Sequence, residues 1–395
     1  MSATEHDSQL ALSLFGERWL VDLSAFSDPA PYVERLRHLW ARNVIETAGH
    51  DVVFRPLPAG ADRDDHDGVV TAFIAERDDG AFPYAFSRAM TQAVISRLAG
   101  SGLLLHAAGL TSPDGGRGVV LVASSGTGKS TAARTLGRHF GYLSDELMRI
   151  DAEHRMQGLT KPLSIIVPDF PGGKDESSPD DLALVGAPRE APALAAVVCL
   201  ARSTDAVDAV LEPISVHEFI AEVLPQSSSI WRGERPLHHL VEAGVLGGGP
   251  YRLRYSEIDE AEELIASLLS RDAGAVKTHE WVGHLPDEEW RWTTDASVAS
   301  LPEMLSDDFS VTRMPWTDAI ESEGEISVLA GAEFSRIAGI AAPIWLACSR
   351  PHTVGEIGEM LEQEFGPHPE ALELMRTALA ELVSRRLVRL EKGSA

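Results

Sequence analysis

The sequence has few cysteines and no long apolar run, and these scarcities argue against several classes of protein. It contains two cysteines, Cys199 and Cys348, far apart and outside any Cys-x-x-Cys or Cys/His cluster, so we expect two reduced, partly buried thiols. No apolar run approaches the ~20 residues that a membrane-spanning helix needs. The polar, acidic start MSATEHDSQL lacks the apolar core of a signal peptide. We therefore expect a cytoplasmic protein with no membrane partner.

Positive charge is scarce as well. The chain carries 34 Lys and Arg against 60 Asp and Glu, a formal net charge of -26. This field opposes nonspecific binding to nucleic acid, which is not an expected partner. A chain this acidic needs a local positive pocket if it is to hold a polyphosphate. Its 44% apolar and 24% charged residues are typical of a globular protein, and its 395 residues predict two or three domains.

The first two thirds of the chain show two patterns. Residues 1–80 combine an amphipathic segment, YVERLRHLWARNV, with an alternating strand, GVVTAFIAE, which predicts a small N-terminal α+β lobe. Residues 81–271 alternate helical segments with apolar strands, which predicts an α/β sheet covered on its faces. We expect the strands of this sheet in LLLHAAGL, GVVLVA, GYLSDELMRI, IVPDF and ALAAVVCLARS.

The pattern changes again after Arg271. Residues 272–310 are acidic and rich in tryptophan, which favours a linker ordered in part by packing of Trp281, Trp290 and Trp292. Residues 311–392 follow as a compact module that opens with two strand signals, VTRMPW and GEISVLAG. The module continues with three helical segments and a closing strand, which are FSRIAGIAAPIWLACS, TVGEIGEMLEQEF, PEALELMRTALAELVSRRL and VRLEKG.

The stretch LVASSGTGKST predicts a phosphate-binding loop between a strand and a helix. It matches GxxxxGK[ST] except that Ala123 occupies the first glycine position. The amides of such a loop turn toward phosphate oxygens, and the helix N-terminus adds partial positive charge. We expect Lys129 to reach the β and γ phosphates of ATP and Ser130 to hold Mg²⁺. The alternative is a Gly/Ser-rich turn. The candidate nucleotide-binding residues are Ser124, Ser125, Gly126, Thr127, Gly128, Lys129, Ser130 and Thr131.

Candidate catalytic residues stand on both sides of this loop. Asp145 and Glu146 end an apolar strand one helix later, where strand ends face the ligand crevice of an α/β sheet. One carboxylate can take a proton from an attacking hydroxyl while the other binds the metal; the alternative is a solvated acidic turn. His106, in the strand before the loop, is either a core histidine or a phosphate contact or proton relay. We expect Lys161 to be solvated, with a place over the phosphates as the alternative.

The order LLLHAAGL, GVVLVASSGTGKST, YLSDE resembles the HPr kinase/phosphorylase-like family, relatives of phosphoenolpyruvate carboxykinase. In that family a His-containing strand precedes the P-loop and an Asp-Asp pair follows its helix; His106 and Asp145–Glu146 match these pieces. The resemblance covers roughly residues 80–270. It implies ATP-dependent phosphorylation of a serine hydroxyl with Asp145 as the base, and it places Ser130 and Glu146 near Mg²⁺.

The chain departs from this family at three points. Ala123 replaces a glycine, Glu146 replaces the second Asp, and the later Glu-Arg-Gly signature has no match, since RGERP at Arg232–Pro236 does not fit. The resemblance therefore does not carry HPr over as the substrate, and the chain is closer to divergent relatives in peptide-modification pathways. Members of the family often form oligomers, so a homo-oligomer stays open.

Residues 311–392 resemble the PqqD-like peptide-recognition fold, a small winged-helix-like domain, in TRMPW, GEISVLAG, AAPIWLACSRPHTVGEIGEML and LMRTALAELVSRRLVRL. Such domains bind the leader of a ribosomally made precursor peptide as an added strand, in a groove against the last helix. The alternative is a generic winged helix, and its acidic helices argue against DNA binding. We expect a sheet edge around Ile326–Leu329, and the candidate peptide-binding residues are Ile326, Val328, Leu329, Arg376 and Arg385.

These patterns predict an α/β P-loop kinase core of the HPr kinase type, with a small N-terminal α+β lobe and a C-terminal winged-helix-like module. The expected activity is phosphorylation of a Ser or Thr hydroxyl on a precursor peptide whose leader binds the module. ATP and Mg²⁺ are the expected cofactors, and Asp145, Lys129 and His106 the expected catalytic residues. Two alternatives stay open: a small-molecule kinase, for example of serine, and a nucleotide-gated peptide-binding chaperone without transfer activity.

Overall fold

The computed structural model describes residues 7–47, 49–58, 60–61, 68–76, 81–124, 126–167, 174–188, 190–205, 207–271, 280–287, 291 and 306–392. The chain divides into two compact units: residues 1–214, 222–229 and 246–276 form the first, and residues 215–221, 230–245 and 277–395 form the second. Among the described residues no helix is long and apolar enough to cross a membrane. The four-part division 1–80, 81–271, 272–310 and 311–392 stays a prediction.

The elements before the predicted phosphate-binding loop are, in chain order, β1 (Gln9–Leu14), β2 (Glu17–Asp22), α1 (Ala30–Leu39), β3 (Val52–Leu57), β4 (Val69–Phe73), α2 (Ala81–Leu98), β5 (Leu103–Leu105), β6 (Ala107–Thr111) and β7 (Arg117–Val122). After the loop come α3 (Lys129–Leu136), β8 (Gly141–Ser144), β9 (Met148–Ile150), β10 (Met156–Gly158), β11 (Leu163–Ile166), β12 (Lys174–Ser177), β13 (Ala193–Arg202), β14 (Val210–Pro213), α4 (Val216–Val223), α5 (Pro236–Gly244), β15 (Tyr251–Tyr255) and α6 (Glu262–Ser270).

The remaining elements are β16 (Val282–His284), β17 (Phe309–Arg313), β18 (Asp318–Ser322), β19 (Glu325–Ala330), β20 (Glu333–Ile337), α7 (Ala341–Ala347), β21 (His352–Thr353), α8 (Val354–Phe365), α9 (Ala371–Ser384) and β22 (Val388–Lys392). The fold is mixed α/β with several sheets, which confirms the predicted class at that level.

The N-terminal residues form a four-stranded sheet in the order β1-β2-β3-β4. β1 and β2 make an antiparallel hairpin, whereas β2 pairs parallel to β3 and β3 parallel to β4. The sheet and α2 share one apolar core, in which Trp19 and Phe54 lie in a cluster with Phe86 and Met90 of the helix. One face of α2 therefore packs in this core, and its other side faces neighbouring elements.

A six-stranded sheet of order β14-β15-β13-β7-β6-β8 forms the centre of the first unit. β7, β13 and β15 are mutually parallel. β6 runs antiparallel to both of its neighbours, β7 and β8. β7 and β8 consequently point the same way, so both strands end at the edge where β6 begins. The predicted P-loop, the Asp145–Glu146 pair and His106 all belong to this edge.

The two faces of this sheet are covered differently. Side chains of α3 and α6 share a cluster with alternate residues of β6 and β7, such as Leu110 and Leu121. Methionine side chains of the small sheet β10-β9-β5 pack against glycines of β6 and β7. A Cβ on Gly118 would lie 2.8 Å from Sδ of Met156, and a Cβ on Gly109 would clash with Met148. The predicted covering of the sheet is confirmed, but one of its covers is a sheet rather than helices.

Three strand predictions in this unit are wrong. GYLSDELMRI is not one strand, because it forms β8 and β9, which belong to different sheets. LLLHAAGL is not one strand: it breaks at His106 into β5 and β6, which belong to different sheets, and the His106 amide donates to the Gln226 carbonyl at 2.6 Å. IVPDF does not continue the central sheet, because β11 pairs with β12 in a two-stranded ribbon and Ile166 is 77% exposed. Residues 168–170 of that segment lie outside the described residues. Apolar runs alone do not say which sheet a strand joins.

The second unit contains the sheets β16-β18-β19-β20 and β21-β17-β22. Helices α7, α8 and α9 pack with these strands around a core that includes Trp345 and Leu379. FSRI was predicted at the start of a helical segment but belongs to β20. The predicted sheet edge at Ile326–Leu329 is also wrong, since β19 is paired on one side with β18 and on the other with β20. In the described sheet the outer strands are β16 and β20.

Part of the predicted linker 272–310 is ordered in this unit. β16 pairs antiparallel with β18, and the Trp281 ring lies edge-on to His238 at 5.6 Å between centroids. Trp281 thus packs as predicted, whereas Trp290 and Trp292 lie outside the described residues.

A buried carboxylate attaches α5 to the same unit. Asp318, fully buried, accepts hydrogen bonds from the amides of Leu237 and His238 at 2.8 and 3.0 Å. Its other oxygen lies 2.6 Å from Nδ1 of His238. The first turn of α5 therefore has its free amides and its dipole satisfied by one side chain of β18. The sequence pattern of residues 311–392 gave no sign of this helix.

Replacing this carboxylate should loosen α5. We expect Asp318→Ala to lower the free energy of local unfolding of α5 by about 3–5 kcal/mol, because it leaves two buried amides and a buried imidazole without their acceptor. Amide hydrogen exchange across Pro236–Gly244 in the full chain measures this loss. The control Glu242→Ala removes a partly exposed carboxylate of the same helix and should change exchange little. Equal effects of the two substitutions would contradict the anchoring role.

Candidate active site

A cavity of about 830 Å³ opens at the edge where β7 and β8 end, and it collects most of the predicted site residues of the first unit. The predicted residues that line it are His106, Ser124, Gly126, Gly128, Lys129, Ser130, Thr131, Asp145 and Glu146. Thr127 is exposed beside them, and its hydroxyl donates to the Ser124 carbonyl at 2.7 Å. Ser125 lies outside the described residues.

The loop has the backbone conformation that an anion site requires. Gly126 and Gly128 have φ of 83° and 97°, a region that only glycine occupies without strain. Gly128 also caps α3 without any side-chain hydrogen bond to the first turn, so those amides stay available. Ala123 is buried and does not have a positive φ. The missing first glycine therefore leaves the turning positions of the loop intact.

Lys129 brings a buried positive charge to the floor of the cavity. The residue is 6% exposed, and its Nζ donates to the His106 carbonyl at 2.9 Å. Burial, together with the nearby Lys161, lowers the pKa of Lys129 to about 8, although Glu146 and Asp145 oppose the shift. Among the described residues no carboxylate comes within ion-pair distance of this amine. The charge is held without a direct counterion, which suits a group that receives an anionic ligand.

His106 faces the same cavity in a defined tautomer. Its Nδ1 lies 2.9 Å from the Glu146 carbonyl oxygen and 3.3 Å from the Glu146 carboxylate. A carbonyl oxygen only accepts, so Nδ1 carries the proton and Nε2 is left as an acceptor. Burial and the charge of Lys129 lower the pKa of His106, and Glu146 opposes them. His106 thus lines the cavity, and its role as a phosphate contact or proton relay stays a prediction.

Asp145 lies at the end of β8, 3% exposed, and lines the cavity. The hydroxyl of Tyr142 donates to its Oδ1 at 3.1 Å. Burial, reinforced by Asp145, raises the pKa of Tyr142 well above its ordinary value, so the phenol stays protonated. This bond occupies one oxygen of Asp145 and fixes the direction of the carboxylate. The sequence gave no signal for Tyr142, which reads as an ordinary strand residue.

Lys161 was expected to be solvated, and that expectation is wrong. The residue is 3% exposed and lies against the carboxylates of the cavity, with its Nζ 3.7 Å from Oε2 of Glu146. Burial acts to lower the pKa of Lys161, but Asp145, Glu176 and Glu146 outweigh it and the pKa is raised. Proximity to three carboxylates thus keeps this buried lysine charged.

Glu176 is the third carboxylate near Lys161, and the sequence did not predict its position. It is 5% exposed, accepts a hydrogen bond from Ser87 Oγ at 2.9 Å, and accepts another from Ser164 Oγ. Burial raises the pKa of Glu176, against the opposing charge of Lys161. Its segment, KDESS, resembles a polar loop, so only the folded β11–β12 ribbon shows that the side chain turns inward.

The cavity is positive although the chain is acidic. Its walls carry five cationic side chains and two carboxylates, against a formal net charge of -26 for the whole chain. The cations are Arg88, Lys129, Arg134, Lys161 and Lys174, and the carboxylates are Asp145 and Glu146. A local positive pocket is the requirement that the composition sets for binding a polyphosphate, and this cavity meets it.

The predicted peptide-binding residues lie in the second unit. Ile326, Val328 and Leu329 are almost fully buried in β19, so their side chains belong to a core. Arg385 pairs with Glu381 at 2.9 Å, and Arg376 lies on α9. Peptide binding by these residues stays a prediction.

No family model matches the chain, and no curated protein matches it. The solved structures include a partial likeness, the HPr(Ser) kinase/phosphatase from Coxiella burnetii. It has a TM-score of 0.24 and 12% sequence identity, over 42% of this chain and 90% of that one. A likeness of this size carries no argument about the activity of the chain.

The two buried lysines should respond oppositely to replacement by methionine. The folded pKa of Lys129, about 8, lies below its ordinary 10.5, so its charge costs stability at neutral pH. We expect Lys129→Met to raise the free energy of unfolding by roughly 1–3 kcal/mol at pH 7. Because the unfolded state binds the extra proton between these two pKa values, the gain should fade from pH 8 to 10.5.

The matched variant is Lys161→Met. The folded pKa of Lys161 is raised, so its charge stabilises the fold at neutral pH. Removing it leaves buried carboxylates uncompensated, and we expect a loss of about 3–5 kcal/mol. Denaturant unfolding of both variants and the wild type, followed against pH, measures the pair. Stabilisation by both or by neither would contradict the charge distribution described here.

Proposed function

We propose that the chain is an ATP-dependent phosphotransferase that acts on a hydroxyl group. The observation that carries this proposal is the convergence of a glycine-turned loop, a helix N-terminus without a side-chain cap, a buried lysine and two carboxylates on one cavity. Loop amides and Lys129 suit the phosphates of a nucleotide. The carboxylates suit a proton acceptor and a metal ligand. A plain Gly/Ser-rich turn would need none of these neighbours.

The residues present fit Mg²⁺. Ser130 is exposed at the start of α3, and Glu146 lines the same cavity. A hydroxyl and a carboxylate are hard oxygen ligands, and magnesium bound with a nucleotide draws its other ligands from phosphates and water. The ion, when bound, would offset the negative charge of the phosphates. Glu146 is already held near His106 and Lys161, which fixes its position.

Asp145 is the residue best placed to take the proton of an attacking hydroxyl. It lines the cavity, and the Tyr142 hydrogen bond leaves its Oδ2 for the acceptor. The hydroxyl oxygen would form the new bond to phosphorus as the bond to the leaving oxygen breaks, and the proton would pass to the carboxylate. Lys129 and the loop amides would stabilise charge on the transferred group. His106, with Nε2 as an acceptor, would serve as a relay.

For the acceptor we propose a precursor peptide whose leader binds the second unit. β20 is an outer strand of its described sheet, and an edge of this kind can take a peptide as an added strand. Leu372 and Leu374 of α9 are 62% and 45% exposed, an apolar surface suited to a leader side chain. Capture at such a site would raise the local concentration of the acceptor residue. The peptide site proposed here is the outer edge of β20, in place of the buried β19.

Transfer should depend on Asp145 while nucleotide binding does not. We expect Asp145→Asn to lower phosphoryl transfer by roughly 10²–10⁴-fold, because the amide cannot take the proton. The affinity for ATP should stay within a few-fold. Intact mass of a hydroxyl-rich peptide encoded beside this chain, incubated with ATP and Mg²⁺, measures the transfer. The control Asp259→Asn changes an exposed carboxylate away from the cavity and should leave transfer unchanged.

The same assay separates the other candidate functions. If free serine is phosphorylated faster than the peptide, the result favours the small-molecule kinase. ATP binding by the wild type with no transfer to any hydroxyl would favour the chaperone and overturn the kinase proposal.

Leader capture has its own test in the full chain. Deleting residues 310–395 is unsuitable, because it removes the Asp318 that anchors α5. We expect added precursor peptide to slow amide exchange in Glu333–Ile337, because strand addition gives its outward amides a partner. Exchange in Glu325–Ala330 should not change, since that strand is already paired on both sides. Protection confined to Val282–His284 would move the site to the other outer strand, and no protection on either would contradict capture by strand addition.

A further inference from the structure

Helix α2 packs against the N-terminal core with one side and lines the cavity with the other. Phe82, Phe86, Met90 and Val94 belong to the N-terminal core. The opposite side contributes Tyr84, Ser87, Arg88, Thr91, Gln92 and Ile95 to the wall of the cavity. The cavity therefore continues past the phosphate-binding loop to a second wall, which the N-terminal core supports from behind. This gives the N-terminal lobe a structural role that its sequence did not reveal.

This wall carries two cations that phosphate binding at the loop does not explain. Arg88 lies one helical turn from both Tyr84 and Gln92, on the cavity side of α2. Lys174, at the start of β12, holds its Nζ 5.4 Å from the centre of the Tyr84 ring. Within the described part of the chain, neither cation forms an ion pair or a hydrogen bond with a protein group. In a chain with almost two acidic residues per basic one, two such cations on one wall mark a place for an external anion.

The wall is held at a fixed position relative to the catalytic carboxylates. Glu176 bonds Ser87 of α2 and Ser164 of β11, so it joins the helix to the ribbon that carries Lys174. Lys161 offsets the charge of Glu176 and also lies beside Glu146. Glu176 and Lys161 thus compensate each other, whereas Arg88 and Lys174 have no carboxylate paired with them within the described part of the chain. An acceptor that reached from Asp145 to this wall would meet a preset spacing.

We propose that Arg88 and Lys174 bind a carboxylate of the acceptor, close to the hydroxyl that is phosphorylated. The proposal rests on the proposed phosphotransfer at this cavity and names the class of acceptor. A guanidinium binds a carboxylate with two parallel hydrogen bonds, and an ammonium beside it adds a point charge. The carboxylate can come from the C-terminus of a peptide or amino acid, or from an acidic side chain next to the hydroxyl residue.

Binding of small probes tests this without requiring transfer. Three probes differ in the charge near one serine hydroxyl: N-acetyl-serine, N-acetyl-glutamyl-serinamide and the neutral N-acetyl-serinamide. Each is titrated by ligand-observed NMR into the full chain, saturated with a non-hydrolysable ATP analogue and Mg²⁺. We expect at least one acidic probe to bind roughly tenfold more tightly than the neutral probe. Which acidic probe gains identifies the source of the carboxylate.

The variants Arg88→Gln and Lys174→Gln should each reduce this preference about threefold to tenfold, and the neutral probe should bind them as it binds the wild type. The matched control Arg35→Gln alters an exposed arginine of α1 that does not line the cavity and should keep the preference. Equal binding of all three probes by the wild type would overturn the proposal. So would a preference that survives both substitutions, or a loss of affinity for the ATP analogue instead of the probes.

Failure of the kinase proposal would look different. A wild type that prefers the acidic probes, loses that preference in the variants and yet transfers no phosphate keeps the carboxylate site and refutes the transferase. Transfer to serine without any preference for the acidic probes does the reverse.

Discussion

The structure of the site depends on burying positive charge at the edge of a sheet in an acidic chain. Lys129 and Lys161 are both almost fully buried, yet their surroundings shift their pKa values in opposite directions. Lys161 is compensated by three carboxylates and stabilises the fold, whereas Lys129 donates to a backbone carbonyl and has its pKa lowered to about 8. A buried charge without a direct counterion is costly. Lys129 is in this position beside the loop, and its cost would be relieved by an anionic ligand.

The sheet topology explains how this charge meets the carboxylates. Because β6 runs antiparallel to both neighbours, β7 and β8 end together at the edge where β6 begins. One short strand thus brings the loop, Asp145 and His106 to the same side, although Asp145 lies 39 positions after His106 in the sequence. Glu176 then fixes the opposite wall through Ser87 and Ser164. The positions of the site residues are therefore set by strand direction and by one buried carboxylate, and less by the local shape of the loop.

Because strand direction and long-range packing set these positions, only part of the site could be predicted from the sequence. The loop, Lys129 and the Asp145–Glu146 pair are local signals, because their spacing lies within one strand–helix–strand unit, and the structure brings them together. Lys161, Glu176 and Arg88 acquire their places only through long-range packing, so a sequence pattern gives them as solvated polar residues. The same limit explains the strand errors: alternation identified β19 as a strand, but which of its edges is paired depends on β18 and β20. Apolar pattern likewise hid the break at His106 between two sheets.

The division of the chain changes how peptide capture should be understood. The second unit takes residues 215–221 and 230–245 from the middle of the chain in addition to residues 277–395. The polypeptide therefore passes between the units five times, at residues 214/215, 221/222, 229/230, 245/246 and 276/277. A domain joined by one flexible tether would act through linker length alone. Here the Asp318 carboxylate of one segment accepts hydrogen bonds from the first turn of α5, a helix that the chain reaches between two passages through the first unit. The proposed leader edge, β20, and the strand that anchors α5, β18, thus belong to the same sheet of the second unit.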